Sequence, residues 1–175
     1  EQLEPVEIRG IVTYLLKYSQ PFEPLVPGDN PASASPDERI ARGKLLFETR
    51  GCLACHSHKD FPEAHRSHDN EQLGQFQHAP DLSAIGDKLA ADRNPNGPAW
   101  LYSWLRDPGR YHVRTGMPYM FLEPIEGEDG EFTDPAEDIA EYLLAGRSDW
   151  QPVAAASASV DVGALDTLVL EHLNK

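Results

Sequence analysis

Gly51-Cys52-Leu53-Ala54-Cys55-His56 is the stretch on which the reading of this chain turns. Two thiols stand three positions apart, about one helical turn, and an imidazole follows the second directly. That spacing lets both sulfurs reach the two vinyl positions along one porphyrin edge while the imidazole comes up beneath the iron, and it is the attachment signature of c-type haem. Cys52, Cys55 and His56 would supply three bonds to one cofactor. A zinc site would need four ligands, and because these two cysteines are the only ones in the chain, the others would have to be scattered histidines. A redox dithiol or a plain disulfide leaves His56 without a role, and no strand–helix–strand pattern surrounds the pair.

Just upstream, Ser35-Pro36-Asp37-Glu38 opens a helix. Ser35 caps it, Pro36 suits the first helical position, and Glu38 reaches back as the second half of a capping box. The helix is expected to run through Ile40, Gly43, Leu46 and Phe47 towards Gly51, delivering the chain to Cys52. Gly43 falls on the apolar face, where a missing side chain allows another helix to approach closely. Downstream, Asn96 to Asp107 reads as a helix begun near Pro98 and stopped before Pro108, with Trp100, Leu101, Trp104 and Leu105 on one side. Asp134-Pro135-Ala136-Glu137 starts another, carrying Ile139, Tyr142 and Leu143 as its apolar stripe. With 15 prolines and little β-branched alternation, the chain is expected to be all-α, its helices separated by long irregular loops.

The run Gly43 to Phe47, then Gly51 and the Cys-x-x-Cys-His motif, resembles the start of a class I c-type cytochrome. The resemblance implies a cytochrome c fold, helices wrapped around one covalently attached haem c, closed by a first helix crossing a last one. Tyr142 would then meet Gly43 and Phe47. His78-Ala79-Pro80-Asp81-Leu82 is similar to the family's Gly-Pro-x-Leu segment, with Ala79 in place of the glycine. On that likeness the Pro80 carbonyl accepts a hydrogen bond from the His56 imidazole, and Leu82 packs against the ring on the His56 side. Thr115-Gly116-Met117-Pro118 resembles the distal-ligand segment. Met117 follows His56 by 61 residues (117 − 56), so the iron ligands would be His56 and Met117. Met120 and His112 are the competing ligands. Trp100 and Trp104 are expected in the core, and in some relatives a tryptophan also donates its indole N–H to a haem propionate. Arg110 and Arg114 are further propionate candidates that no spacing separates. The implied function is electron transfer at an exposed haem edge, in a carrier rather than an enzyme. A haem enzyme or gas sensor with a displaceable distal ligand is the alternative, but no acid/base constellation appears at a recognisable spacing.

Composition narrows the partners. A formal net charge of −14 argues against nucleic acid and anionic membrane surfaces and favours redox partners with basic docking faces. No apolar run approaches the roughly 20 residues that span a bilayer, and no signal peptide opens the chain. Haem c is attached outside the cytoplasm, so the resemblance implies a periplasmic or otherwise exported location; a membrane tether would lie outside these residues. Between His56 and Pro80 an insertion holds His58, His65, His68 and His78. It reads as an exposed polar segment, with a second metal on His65 and His68 as the sharper alternative. Glu123 to Glu131 reads as an acidic solvated turn.

The flanks carry a repeat. Val6 to Tyr18 reads as an amphipathic helix, followed by a Pro-, Ala- and Ser-rich linker over Pro21 to Pro36. Ile11-Val12-Thr13-Tyr14-Leu15-Leu16 returns as Ile139-Ala140-Glu141-Tyr142-Leu143-Leu144, offset by 128 (139 − 11), and Phe22, Pro24 and Leu25 return as Trp150, Pro152 and Val153 at the same offset. Ala32 to Ser35 is echoed by Ala156 to Ser159, after which Leu165, Leu168, Val169 and His172 begin a helical pattern. The expected organisation is a flanking helix and linker over 1–35, possessing the pattern of the last helix of a preceding domain; a cytochrome c domain over 36–150; and a linker and helix over 151–175 that would begin a following one.

Overall fold

The computed structural model describes residues 5–28, 34–64, 79–127, 132–147 and 162–173. They form helices α1 (Pro5–Tyr18), α2 (Pro36–Thr49), α3 (Ile85–Leu89), α4 (Gly97–Arg106), α5 (Pro135–Ala145) and α6 (Val162–Leu173), with single 3-10 turns at Cys52–Ala54 and Pro108–Arg110. The chain is mostly helical. It is not wholly so, because β1 (Ile125–Glu126), within the segment expected as an acidic turn, pairs antiparallel with β2 (Phe132–Thr133) just after it. The second echo of the repeat and the histidines His65, His68 and His78 lie outside the described residues.

Two units divide the chain: Glu1–Glu23 with Pro152–Lys175, and Pro24–Gln151. In the smaller unit α1 packs against α6, and Ile11, Tyr14 and Leu15 of α1 remain 49%, 63% and 58% exposed. The larger unit holds α2 to α5. Part of the proline-rich stretch belongs to it, since the Leu25 N–H donates to Ser103 Oγ (2.5 Å) on α4. The expected detached linker therefore begins to fold by Leu25.

The N-terminal chemistry of α2 is that of its residues. Glu38 N–H donates to Ser35 Oγ (3.3 Å), and Ser35 N–H donates to Glu38 Oε2 (2.7 Å). At α5, Asp134 accepts from the N–H groups of Ala136 (3.1 Å) and Glu137 (3.2 Å), and also takes the Tyr102 hydroxyl of α4 (2.7 Å). The core lies where α2, α4 and α5 meet, around Phe47, Leu101, Leu122, Ile139 and Leu143.

Helices α2 and α5 cross with their backbones in direct apposition. A Cβ built on Gly43 would fall 1.9 Å from the Asp138 carbonyl oxygen and 3.0 Å from Ile139 N. The backbone atoms nearest Gly43 thus belong to the turn of α5 just before Tyr142. Tyr142 meets Phe47, as expected, with ring centroids 5.8 Å apart. A methyl group at the crossing must drive the helices apart, so Gly43→Ala should lower stability by roughly 3 kcal/mol, read by urea unfolding. A change within experimental error would contradict the close crossing.

Candidate cofactor site

Gly51 ends α2 in the left-handed region (φ 86°), a conformation that favours glycine, and turns the chain into the 3-10 turn Cys52–Ala54. The His56 N–H donates to the Cys52 carbonyl (2.9 Å), closing one helical turn across the motif. Both cysteines are free thiols; Cys52 is half-buried and packs against the core, while Cys55 is exposed. Burial pushes the Cys52 thiol up to about 11. A nucleophilic or metal-binding thiolate requires the opposite shift.

The segment leaving the motif is stitched to residues 80–83. His56 Nδ1 lies 2.8 Å from the Pro80 carbonyl oxygen. Because a carbonyl only accepts, Nδ1 carries a proton and donates it, leaving Nε2 as the ring nitrogen not used in this bond. Ser57 Oγ donates to Asp81 Oδ2 (2.5 Å), Leu82 N–H to the Ser57 carbonyl (2.9 Å), and Lys59 N–H to Ser83 Oγ (2.8 Å). Burial raises the Asp81 carboxyl, but the hydrogen bonds from Ser57 and Ser83 outweigh it and hold the group below its ordinary value. Leu82 is half-buried against the core.

Trp100 and Trp104 of α4 stack at 5.5 Å with planes 10° apart, and Tyr111 closes against both, at 5.4 and 5.8 Å. The Trp104 indole N–H donates to Met117 Sδ (2.8 Å). The Met117 N–H donates to Thr115 Oγ1 (3.2 Å), and the Thr115 N–H to the His112 carbonyl (2.9 Å). Met117 and Met120 are both half-buried against the core; His112 is exposed, its Nδ1 accepting the Arg114 N–H (3.1 Å). Arg110 and Arg114 are exposed. The structure thus brings Pro80 to His56, and Trp104 to Met117, as two bonded pairs. Among the described residues no group of three or more His, Cys, Asp or Glu side chains is arranged to hold a metal ion.

His58 corrects the reading of the histidine insertion as an exposed polar segment. It is buried, 4% exposed, with its ring 5.2 Å from Tyr142 and 5.7 Å from Phe47. The Tyr142 hydroxyl stands 3.0 Å from both His58 Nδ1 and Asp60 Oδ2, and Lys44 Nζ lies 3.6 Å from that carboxylate. No periodicity distinguishes His58 from its polar neighbours, and Tyr111, Ser57 and Ser83 likewise carried no sequence signal. Comparison with models of known families, with curated proteins and with solved structures gives no match.

Burial holds the His58 imidazolium below its ordinary 6.5, with Asp60 opposing the shift. The unfolded chain therefore takes up this proton first as pH falls, and stability is lost from about pH 6.5 downwards. His58→Gln removes that component. Urea unfolding at pH 7.5 and 5.5 should show a larger loss in the parent than in the variant; equal losses would contradict it.

Proposed function

We propose that the larger unit is a monohaem c-type cytochrome domain that carries single electrons, with His56 and Met117 as axial ligands. The observation that supports it best is the His56–Pro80 bond, which fixes the tautomer and offers Nε2 as a ligand. When bound, a c-type haem would supply the one-electron Fe(III)/Fe(II) couple. The residues present fit such a group. Cys52 and Cys55, unpaired with one another, would hold it as thioethers, and Cys52 sits among apolar side chains that suit an uncharged sulfur. Met117 offers a soft, neutral thioether whose backbone is tied to Thr115. Leu82 and the Trp100, Trp104 and Tyr111 rings would keep water from the site. The acidic chain favours a basic redox partner, met through fast, salt-sensitive docking, in a periplasmic or otherwise exported setting. No described helix is long and apolar enough to cross a membrane.

Met117→Ala tests the ligand pair. The parent, oxidised, should show the weak far-red absorption of iron–sulfur ligation, and the variant should lose it. A parent without that band would overturn the His56/Met117 pair in favour of a second imidazole or an open iron.

The flanking unit belongs to the same proposal, which takes it as part of a tandem array of such domains. Ile11, Tyr14 and Leu15 are the repeat counterparts of Ile139, Tyr142 and Leu143, which α5 buries to 0%, 5% and 2% exposure. The same pattern stands 49–63% exposed on α1, as a last helix would without the first helix it is built to cross. The polypeptide purified from its source should be longer than 175 residues and carry more than one haem iron, near one per ~130 residues. A native chain of 175 residues with one iron would overturn the array.

A further inference from the structure

We propose that Trp104 is a positioning residue for the Met117 thioether, its indole N–H holding one sulfur lone pair and leaving the other for the iron. This rests on the reading of Met117 as a ligand. A thioether sulfur carries two lone pairs, and the Trp104 N–H already points at Sδ from 2.8 Å. The indole has little freedom to leave, because Trp100 and Tyr111 pack against it and α4 fixes its backbone. Its N–H is thereby committed to sulfur rather than to a haem propionate, and it becomes the partner that decides which face of Met117 is presented.

The donor also changes what the sulfur does. An N–H on one lone pair draws density from the other, making Met117 a poorer donor to ferric iron, which depends on donation more than ferrous iron does. The ferrous form is favoured. A ring at 104 without a donor should reverse that preference while leaving the packing in place.

The test uses the haem-loaded full chain in three forms: the parent, Trp104→Phe and Trp100→Phe. In Trp104→Phe the ferrous-to-ferric ratio at a fixed applied potential should fall about threefold, a midpoint lower by about 28 mV at 59 mV per tenfold for one electron. The far-red band should shift or vanish. Trp100→Phe, which loosens the stack but keeps the donor at 104, should change both less than Trp104→Phe does. If Trp104→Phe does not fold, a benzothienyl analogue of tryptophan at 104, with sulfur in place of N–H and the shape retained, makes the same comparison. A Trp104 variant with the parent's band and midpoint would overturn the proposal. Absence of the band from the parent itself would instead overturn the ligand reading beneath it.

Discussion

The approach of two backbones at Gly43 is the constraint from which the larger unit takes its form. Helix α2 can lie on α5 only because no side chain separates Gly43 from the Asp138 carbonyl. That intimacy brings charged groups into the joint. Asp138 is 1% exposed, and Arg42 meets it with Nε at 2.6 Å and Nη2 at 2.8 Å, a two-pronged pair in which each carboxylate oxygen has its own donor. Arg39 does the same for Glu141 one turn along, with contacts of 3.0 and 2.7 Å. A buried carboxylate without its guanidinium would be strongly unfavourable, so the crossing angle and the ion pairs require one another. Asp134 extends the joint to α4, serving as the cap of α5 and the acceptor for Tyr102 at once.

The candidate site hangs from this joint by two separate arms. Phe47 lies one turn beyond Gly43 on the same face and sets the aromatic cluster of His58, Phe61 and Tyr142, which grips the chain after the Cys-x-x-Cys-His motif. The grip continues into the hydrogen bonds between residues 56–59 and 80–83, so the orientation of His56 is decided by groups bonded to both sides of it. The second arm is α4. Its inward side chains Leu101 and Leu105 are in the core, and its tryptophans face Tyr111 and Met117. Neither arm relies on a loop held only by its own residues. Such bracing would suit the redox role proposed for the site, where geometry must stay the same in two oxidation states.

What could be read in the sequence was what local chemistry decides. Ser35, Pro36 and Glu38 specify a helix start within four residues, and Asp134-Pro135 does the same, so both helices were legible. Gly43 announced a close approach, but a sequence gives the face of a helix and not its register against a partner; that the nearest atoms are the Asp138 backbone could not be read from it. Helix α3 has five residues, too few for a period to emerge, and the β1–β2 ladder has two residues a side. His58 was hidden for a different reason. Its burial is created by Phe47, Phe61 and Tyr142, and the last of these comes 84 positions later in the chain. A propionate contact for Trp100 or Trp104 is only what the family resemblance implies, whereas the bond of Trp104 to Met117 depends on how the 107–117 loop returns to α4.

The state of the sulfurs ties these strands together. Cys52 occupies an apolar setting that raises its thiol to about 11, so at neutral pH it is uncharged, which is poor preparation for a dithiol redox centre or a zinc thiolate. Conversion to a thioether removes the ionisable proton while leaving the sulfur neutral, and the apolar packing of Cys52 then carries no penalty. Met117 is a thioether from the outset, and the His56 Nδ1–H donates to the Pro80 carbonyl. The two protein ligands proposed here, an imidazole bound through Nε2 and a thioether, would both be neutral donors. Neutral donors compensate the extra positive charge of ferric iron less than thiolate or carboxylate would, and the Trp104 N–H weakens one of them further. With a haem held as proposed, the packing of the core and the chemistry of these ligands would both favour the reduced state.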